Sequence, residues 1–360
     1  MTFDEARAQF PVLERTAYLN AGTNGPLARS TIEAFVEAAE RDLHEGRSGK
    51  AYVDRMLELR TTARGGFADL LGVDVSHIAI VESTMRGCAT VLAGLGLTGE
   101  DEVITTDQEH FGLTGPLFAT GARVVMVDGD EDAILGAVGA RTRLIATSQV
   151  LWTTGRRLDL ARVKRESGLP VLVDGAQSAG AIPVDVGELD WYTVSAQKWL
   201  CAPDPAGALY VRDPEAVRVK TPSYFAQDSY ELTGEFVPKE SAARFDGGWV
   251  GLPALSGIVS ALATHPEWRY ERSAEAAARC AELLAEHVEV VTPPGHSTLV
   301  SFRPPGDPAE LVESLRARGV VVRELPGRNL VRASCGWWTS EGDLQRLAAG
   351  VAEAAGAAGS

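Results

Sequence analysis

Lysine and cysteine are both scarce in this chain, at five and four residues in 360. The cysteines, Cys88, Cys201, Cys280 and Cys335, have neither the paired layout of a disulfide framework nor metal-ligand spacing, which argues against a disulfide-stapled fold or a zinc module. Reduced thiols are the expectation. Positive charge is also short, with 34 Lys and Arg against 49 Asp and Glu and a formal net charge of -15, and no basic run occurs. Nucleic acid and anionic membrane are therefore disfavoured as partners, and an anionic substrate would need a local arginine. No run of 18 apolar residues could span a bilayer, and Met1 to Glu14 lacks the basic start and apolar stretch of a signal peptide. The expected compartment is the cytoplasm.

What is present is an ordinary globular composition, 45% hydrophobic and 23% charged, long enough for one large and one small domain. The most informative stretch runs from Leu169 to Leu200. Pro170-Val-Leu-Val173 is a short apolar run rich in β-branched residues, which predicts a buried parallel strand, and it stops at Asp174-Gly175. About twenty residues on, Asp190-Trp-Tyr-Thr-Val194 predicts the next strand, which hands over to Ser195, Gln197 and Lys198. Ligands of open α/β sheets lie beside the carboxyl ends of such strands. An acid and an amine delivered to one rim suit pyridoxal phosphate, the amine forming a Schiff base with the aldehyde and the carboxylate keeping the pyridine nitrogen protonated. Singly, Asp174 reads as a cap and Lys198 as a surface residue. Their pairing carries the signal, because among the lysines (Lys50, Lys164, Lys198, Lys220 and Lys239) only Lys198 directly follows an apolar strand. Arginine supplies the positive charge elsewhere, so a lysine here suggests chemistry that needs a deprotonatable amine.

VLVDGAQSAGAIPVDV followed by DWYTVSAQKWL resembles the class V aminotransferase family, fold-type I pyridoxal phosphate enzymes that include cysteine desulfurases, cystine lyases and isopenicillin N epimerase-like proteins. The resemblance covers nearly the whole chain. It implies an α/β fold with a mostly parallel seven-stranded sheet in a large domain over 1–250, whose segment 1–28 lies near the active site. A small C-terminal α/β domain over 251–360 would include a long linking helix. It also implies a homodimer, since the family builds its sites at the subunit interface.

In chain order, Thr16 to Leu27 predicts a short strand and a Gly- and Asn-rich turn. A turn alone explains it, but family members carry a similar segment near the substrate, which would make Thr23 and Asn24 site residues. Helical patterns follow at Ser30 to Leu43, with Ser-Thr as a cap, and at Lys50 to Leu71. Ile78 to Val81 predicts a strand running through Glu82-Ser-Thr-Met85 into a helix, whose start would hold the cofactor phosphate through Ser83, Thr84 and the N–H of Met85. Gly94-Leu-Gly-Leu-Thr-Gly99 matches GxGxxG, yet it follows a helix and precedes a strand, so a helix terminus and turn are expected there. The strand Glu102 to Thr106 delivers His110, where the family stacks an aromatic residue on the cofactor ring and where a proton relay is conceivable. Strands at Arg123 to Val127 and Arg143 to Thr147 continue the alternation, and Trp152 beyond them would wall the substrate pocket. The resemblance assigns Gln177 to the ring hydroxyl and Ser195 and Gln197 to the phosphate. Thr221 to Lys239 reads as a long functional loop. In Ala243 to Trp249, the segment that in the family reaches the neighbouring phosphate, Trp249 replaces the threonine. Arg332, in Val-Arg-Ala-Ser, matches the arginine that clamps the substrate carboxylate, a task suited to a forked guanidinium.

Desulfurases carry a nucleophilic cysteine on a small-domain loop, and Val322 to Val331 has none. The expectation is a C–S lyase acting by β-elimination on a cysteine-type amino acid, with transamination or epimerisation from the same Lys198 Schiff base as alternatives. A non-enzymatic nucleotide binder rests only on the GxGxxG coincidence.

Overall fold

Residues 1–358 are described by a computed structural model. Its fourteen strands are β1 (Ala17–Tyr18), β2 (Ile78–Val81), β3 (Glu102–Thr106), β4 (Arg123–Val127), β5 (Thr142–Ser148), β6 (Val171–Asp174), β7 (Trp191–Ser195), β8 (Gly207–Val211), β9 (Gln227–Tyr230), β10 (Phe236–Pro238), β11 (Leu299–Phe302), β12 (Val320–Val321), β13 (Arg323–Leu325) and β14 (Leu330–Ser334). Every residue of β2, β6, β7 and β8 is buried, as sequence runs without polar alternation require when helices cover both sheet faces. These strands belong to a seven-stranded sheet of order β2-β8-β7-β6-β5-β3-β4, in which only β8 runs against its neighbours. The carboxyl ends of β3, β5, β6 and β7 therefore open on one rim. A second sheet, β11-β14-β13, is antiparallel and packs with helices Arg269–Ala285 and Glu341–Ala358. No helix among the described residues is long and apolar enough to cross a membrane.

Packing cuts across a division of the chain at residue 250. Helix Leu252–Ala263 buries Ile258 and Ala261 in the same core as the large sheet. Conversely, β1 pairs in parallel with β12, and Ala17 and Leu19 join the core of the C-terminal sheet. The expected strand from Val320 to Arg323 is accordingly two: Val320–Val321 faces β1, and the chain then turns so that β13 pairs with β14.

Two other expectations are corrected. The stretch 221–239 is not all loop, because β9 and β10 form an antiparallel hairpin around Gly234. Ser30 and Thr31 do not cap their helix, which starts at Arg29 behind an Ala28 that makes no side-chain cap bond. The Arg29 N–H donates instead to Gln9 O at 2.8 Å, so the orphan donor is satisfied by tertiary contact. Gly96 does end its helix in the left-handed region (φ 65°), well before β3 begins, which leaves the GxGxxG stretch as a helix terminus.

Candidate active site

A cavity of about 180 Å³ opens at the carboxyl rim of the large sheet. Its floor is built by strand ends: Asp174 closes β6, Ser148 closes β5 directly opposite it in register, and Ser195, Gln197 and Lys198 leave β7. Ser83, Thr84 and Met85 line one side at the start of helix Thr84–Leu95, and His110, Trp152 and Gln177 line the others. A larger cleft of about 510 Å³ lies between helix Arg269–Ala285 and residues 290–300, and its helix wall presents mainly alanines. An amine beside a buried carboxylate at the sheet's carboxyl rim, not size, singles out the smaller one.

Lys198 is half-buried at the cavity, and its amine is pushed down to about 8, chiefly by burial, with Arg332 and Arg323 adding to the effect and Asp174 opposing it. Near pH 8 about half of such amines are neutral, against under ~1% for a lysine at its ordinary value. Asp174 is 3% exposed, and its Oδ1 accepts from Ala176 N at 2.8 Å. The N-terminal turn approaches from above. Gly25 N donates to Gln197 O at 2.8 Å, and a Cβ on Gly25 would stand 2.1 Å from Lys198 O, so only glycine fits there.

At the helix start, Ser83 Oγ accepts from Arg86 N and the Gly87 N–H reaches Ser83 O. Thr84 and Met85, as the first two helical residues, have N–H groups without an intrahelical acceptor. Thr84 Oγ1 lies 3.3 Å from Ser195 Oγ, and Gln197, whose donor to an anion is its Nε2, lines the same space. Hydroxyls, free amides and a helix terminus together make a cradle that an anion the size of a phosphate completes.

His110 caps helix Phe111–Phe118, its Nδ1 accepting from Gly112 N at 3.0 Å, which in the neutral ring leaves the proton on Nε2. Burial first, and Lys198 second, push its pKa down. Trp152 stands edge-on to it, ring centroids 5.4 Å apart. Gln177 is oriented without ambiguity: Trp199 Nε1, a donor only, gives to its Oε1 (3.1 Å), and its Nε2 gives to Gly22 O (2.8 Å). One Nε2 hydrogen remains for a ligand oxygen.

Two expected residues stand outside the cavity wall. Asn24 contributes its backbone oxygen to Tyr18 OH, at 2.9 Å. Arg332, 1% exposed, donates from Nη1 to Trp152 O at 2.8 Å, while its Nε and Nη2 are buried without acceptors. Burial and then Arg323 push its pKa down to about 9. A Cβ on Gly22 would meet its Nη2 at 2.6 Å, so this glycine too is set by a close approach.

Sequence reasoning missed two charged residues here. Glu109, beside His110, is clasped by Thr106 Oγ1 (2.8 Å), Thr147 Oγ1 (2.7 Å) and the amide and hydroxyl of Ser148 (3.0 and 2.5 Å), and burial pushes its pKa up. It ties the ends of β3 and β5 together. Arg323 sits opposite Arg332 in the β13–β14 register. Neither gave a signal in the sequence: Glu109 lies in the polar run after β3, and the pairing of Arg323 depends on where the strand from Val320 breaks.

With this geometry in place, comparison with known proteins is informative. Residues 18–347 match the aminotransferase class V family model. Isopenicillin N epimerase of Amycolatopsis lactamdurans is 29% identical over 401 residues, covering 97% of each chain. Cysteine desulfurase CsdA of Escherichia coli is 31% identical over 227 residues, covering 57% of this chain and 56% of its own. Among solved structures, the cystine C–S lyase C-DES in complex with its reaction product cysteine persulfide superposes with a TM-score of 0.89 at 27% identity, covering 96% of this chain and 99% of that one.

Proposed function

The chain belongs to the class V aminotransferase family, and from that premise we propose a pyridoxal 5'-phosphate enzyme that cleaves a C–S bond of a cysteine-type α-amino acid. The observation that carries the proposal is a half-buried lysine with a lowered pKa, at a strand end beside a buried carboxylate, in a cavity with an anion cradle. When bound, pyridoxal phosphate supplies an aldehyde for the amine and a ring that withdraws electrons from Cα.

The residues divide the work by position. Ser83, Thr84, Met85 N–H, Ser195 and Gln197 would hold the phosphate, Asp174 would keep a proton on the ring nitrogen, and the spare Nε2 hydrogen of Gln177 would donate to the ring hydroxyl. His110 covers the ring face, and with Nδ1 engaged by Gly112 any proton it moves passes through Nε2. Arg332 takes the substrate carboxylate on its free Nε and Nη2 edge, where a bidentate contact satisfies two buried donors at once. Trp152, whose carbonyl fixes Arg332, walls the pocket. Lys198 is the group placed to take the Cα proton; with that proton gone, the Cβ–S bond would break with its electron pair leaving on sulfur as thiol, and water would complete the conversion of the remaining carbon skeleton to pyruvate and ammonium.

A C–S lyase at TM-score 0.89 supports elimination. The epimerase at 29% identity over nearly the full length favours a second reading, in which the proton returns to the opposite face of Cα. A panel of amino acids including cysteine conjugates separates them, with keto acid, ammonia, optical rotation and cofactor absorbance followed together. Elimination gives equimolar keto acid and ammonia with the starting spectrum restored. Accumulation of the pyridoxamine form means transamination, and loss of rotation without products means epimerisation.

Desulfurase chemistry would need a reactive thiol, and all four cysteines are buried. Burial pushes Cys201 well up, and Cys335 is raised by its contact with Cys280 as well as by burial, so neither supplies a thiolate. Mass spectrometry after turnover of cysteine should find no sulfur adduct on the protein; a +32 Da species on Cys335 or Cys201, about one sulfur atom in mass, would revive that chemistry.

The working form is a homodimer. Met85 (43% exposed), which lines the cavity, Phe111 (71%), next to His110, and Trp249 (52%), tilted 49° against Phe225, are exposed apolar side chains that a second copy would cover. Four free thiols accord with the cytoplasm.

A further inference from the structure

The larger cleft, of about 510 Å³, stands open for a reason written in the sequence. Ala274, Ala278, Ala281 and Ala285 recur at helical spacing along Arg269–Ala285, which puts them on one face, toward the cleft. Another face of the same helix carries Ala276, Cys280 and Leu284 into the core of the C-terminal sheet. No side chain of the outer stripe reaches beyond Cβ, so the space before it stays unfilled. Across the cleft, Ile182 and Pro183, which follow β6, and Leu299 and Val300 of β11 complete an apolar chamber. Its volume lies within the ~300–1,000 Å³ of small-molecule sites, which are likewise mostly apolar with a few polar groups at fixed points. It shares no wall residue with the cavity around Lys198.

The polar groups on this wall are donors in want of an acceptor. Among the described residues the Arg157 guanidinium makes no hydrogen bond and has no carboxylate within 4.0 Å. Glu282, the acid on the same wall, is taken by Arg279 at 3.2 Å. Glu131, Asp159 and Asp185 border the adjoining depression, and each accepts elsewhere, from Asp159 N, Arg162 N and Gly187 N respectively. His296 Nδ1 accepts from Arg157 N at 3.1 Å, which in the neutral ring leaves the proton on Nε2. Tyr270 OH accepts from Arg269 Nη2 at 3.0 Å and retains its own hydrogen. Thr298, on the same wall and 1% exposed, has a hydroxyl with no partner. We propose that the cleft binds a small amphiphile with an apolar body and one carboxylate, the body lying on the alanine stripe and the carboxylate on Arg157. An unpaired guanidinium beside an apolar wall is complementary to such a molecule and opposes an organic cation of the same shape. The bound molecule touches both sides of the cleft and so ties the segments after β5 and β6 to the C-terminal sheet. The site stands apart from the reaction at Lys198 and does not depend on it.

The probe is octanoate, which has no amino group to react with the cofactor, and calorimetry on the holoenzyme reads its binding. Wild type should take one octanoate per chain with a Kd below about 1 mM, at least tenfold tighter than octylammonium, the same body with the opposite charge. Arg157→Met keeps an apolar stem and removes the charge; it should narrow that ratio to within about threefold, through loss of octanoate affinity. Ala278→Leu, at an exposed helix position where leucine is nearly as good a helix former, should fill part of the space and weaken octanoate at least tenfold. Both variants should keep the wild-type thermal midpoint without ligand, and if either fails to fold, the comparison of the two probes on wild type still decides. No saturable octanoate binding by wild type, equal affinity for the two probes, or undiminished octanoate affinity in a folded Arg157→Met or Ala278→Leu overturns the proposal. So does octanoate binding that disappears once aminooxyacetate blocks the cofactor aldehyde, since the probe would then sit in the Lys198 cavity.

Discussion

Lys198→Ala should yield a folded protein that lacks the visible absorbance of a lysine-bound cofactor and has no measurable turnover. The side chain is half-buried at the end of β7, and the backbone around it is held independently of the amine. Ala196 N donates to Ala206 O, Ala202 N to Ala196 O, and Lys198 O lies where only Gly25 can approach it. Truncation at Cβ removes the amine while leaving those contacts in place, and the desolvation that is the chief cause of the amine's lowered pKa is removed with it. The thermal midpoint should therefore hold or rise, while borohydride treatment of wild type, but not of the variant, fixes the cofactor to the chain. A reducible link that survives in Lys198→Ala would move the anchor to another of the five lysines and remove the basis for every role assigned above.

Asp174→Asn should cost at least ~100-fold in kcat with little change in cofactor affinity or in folding. The amide keeps an acceptor for Ala176 N and fills the same volume, so the change isolates the charge. Ionised, the carboxylate holds a proton on the ring nitrogen; a neutral amide does so far less well, and preorganised electrostatic contacts of this kind are typically worth 10²–10³ in rate. The spectroscopic companion is a shifted cofactor band in the resting protein. Turnover at wild-type rate in Asp174→Asn would mean that Asp174 is a strand-end cap and nothing more.

What could be read from the sequence follows how far apart the informative residues are. Asp174 and Lys198 are 24 residues apart on adjacent parallel strands, and uninterrupted apolar runs mark both strand ends, so their convergence on one rim was legible. Ser83 and Thr84 announced themselves as the start of a helix after a strand. Arg323 was not legible, since its pairing with Arg332 depends on Val320–Val321 leaving the sheet to meet β1, a contact made by residues some 300 positions away. The β9–β10 hairpin was hidden for a different reason: Gln-Asp-Ser-Tyr is polar and largely exposed, so it has no buried face to impose a two-residue period. Glu109 reads as a surface charge until Thr106, Thr147 and Ser148 are brought around it by the β3–β5 pairing.

The pairing of β1 with β12 has a consequence for the order in which the protein comes into being. At roughly 5–20 residues per second, the ribosome emits Val320 something like 15–60 s after Tyr18. Throughout that interval Ala17 and Leu19 lack the hydrophobic partners they have in the finished molecule, and Gly22 has no Arg332 to rest against. The seven-stranded sheet, complete by Val211, can condense around its own core in the meantime, but the turn that roofs Lys198 cannot be fixed in place until the last strands have emerged. A nascent chain thus carries the lysine and its carboxylate in an unroofed cavity, and closure of the catalytic chamber is among the final events of its synthesis.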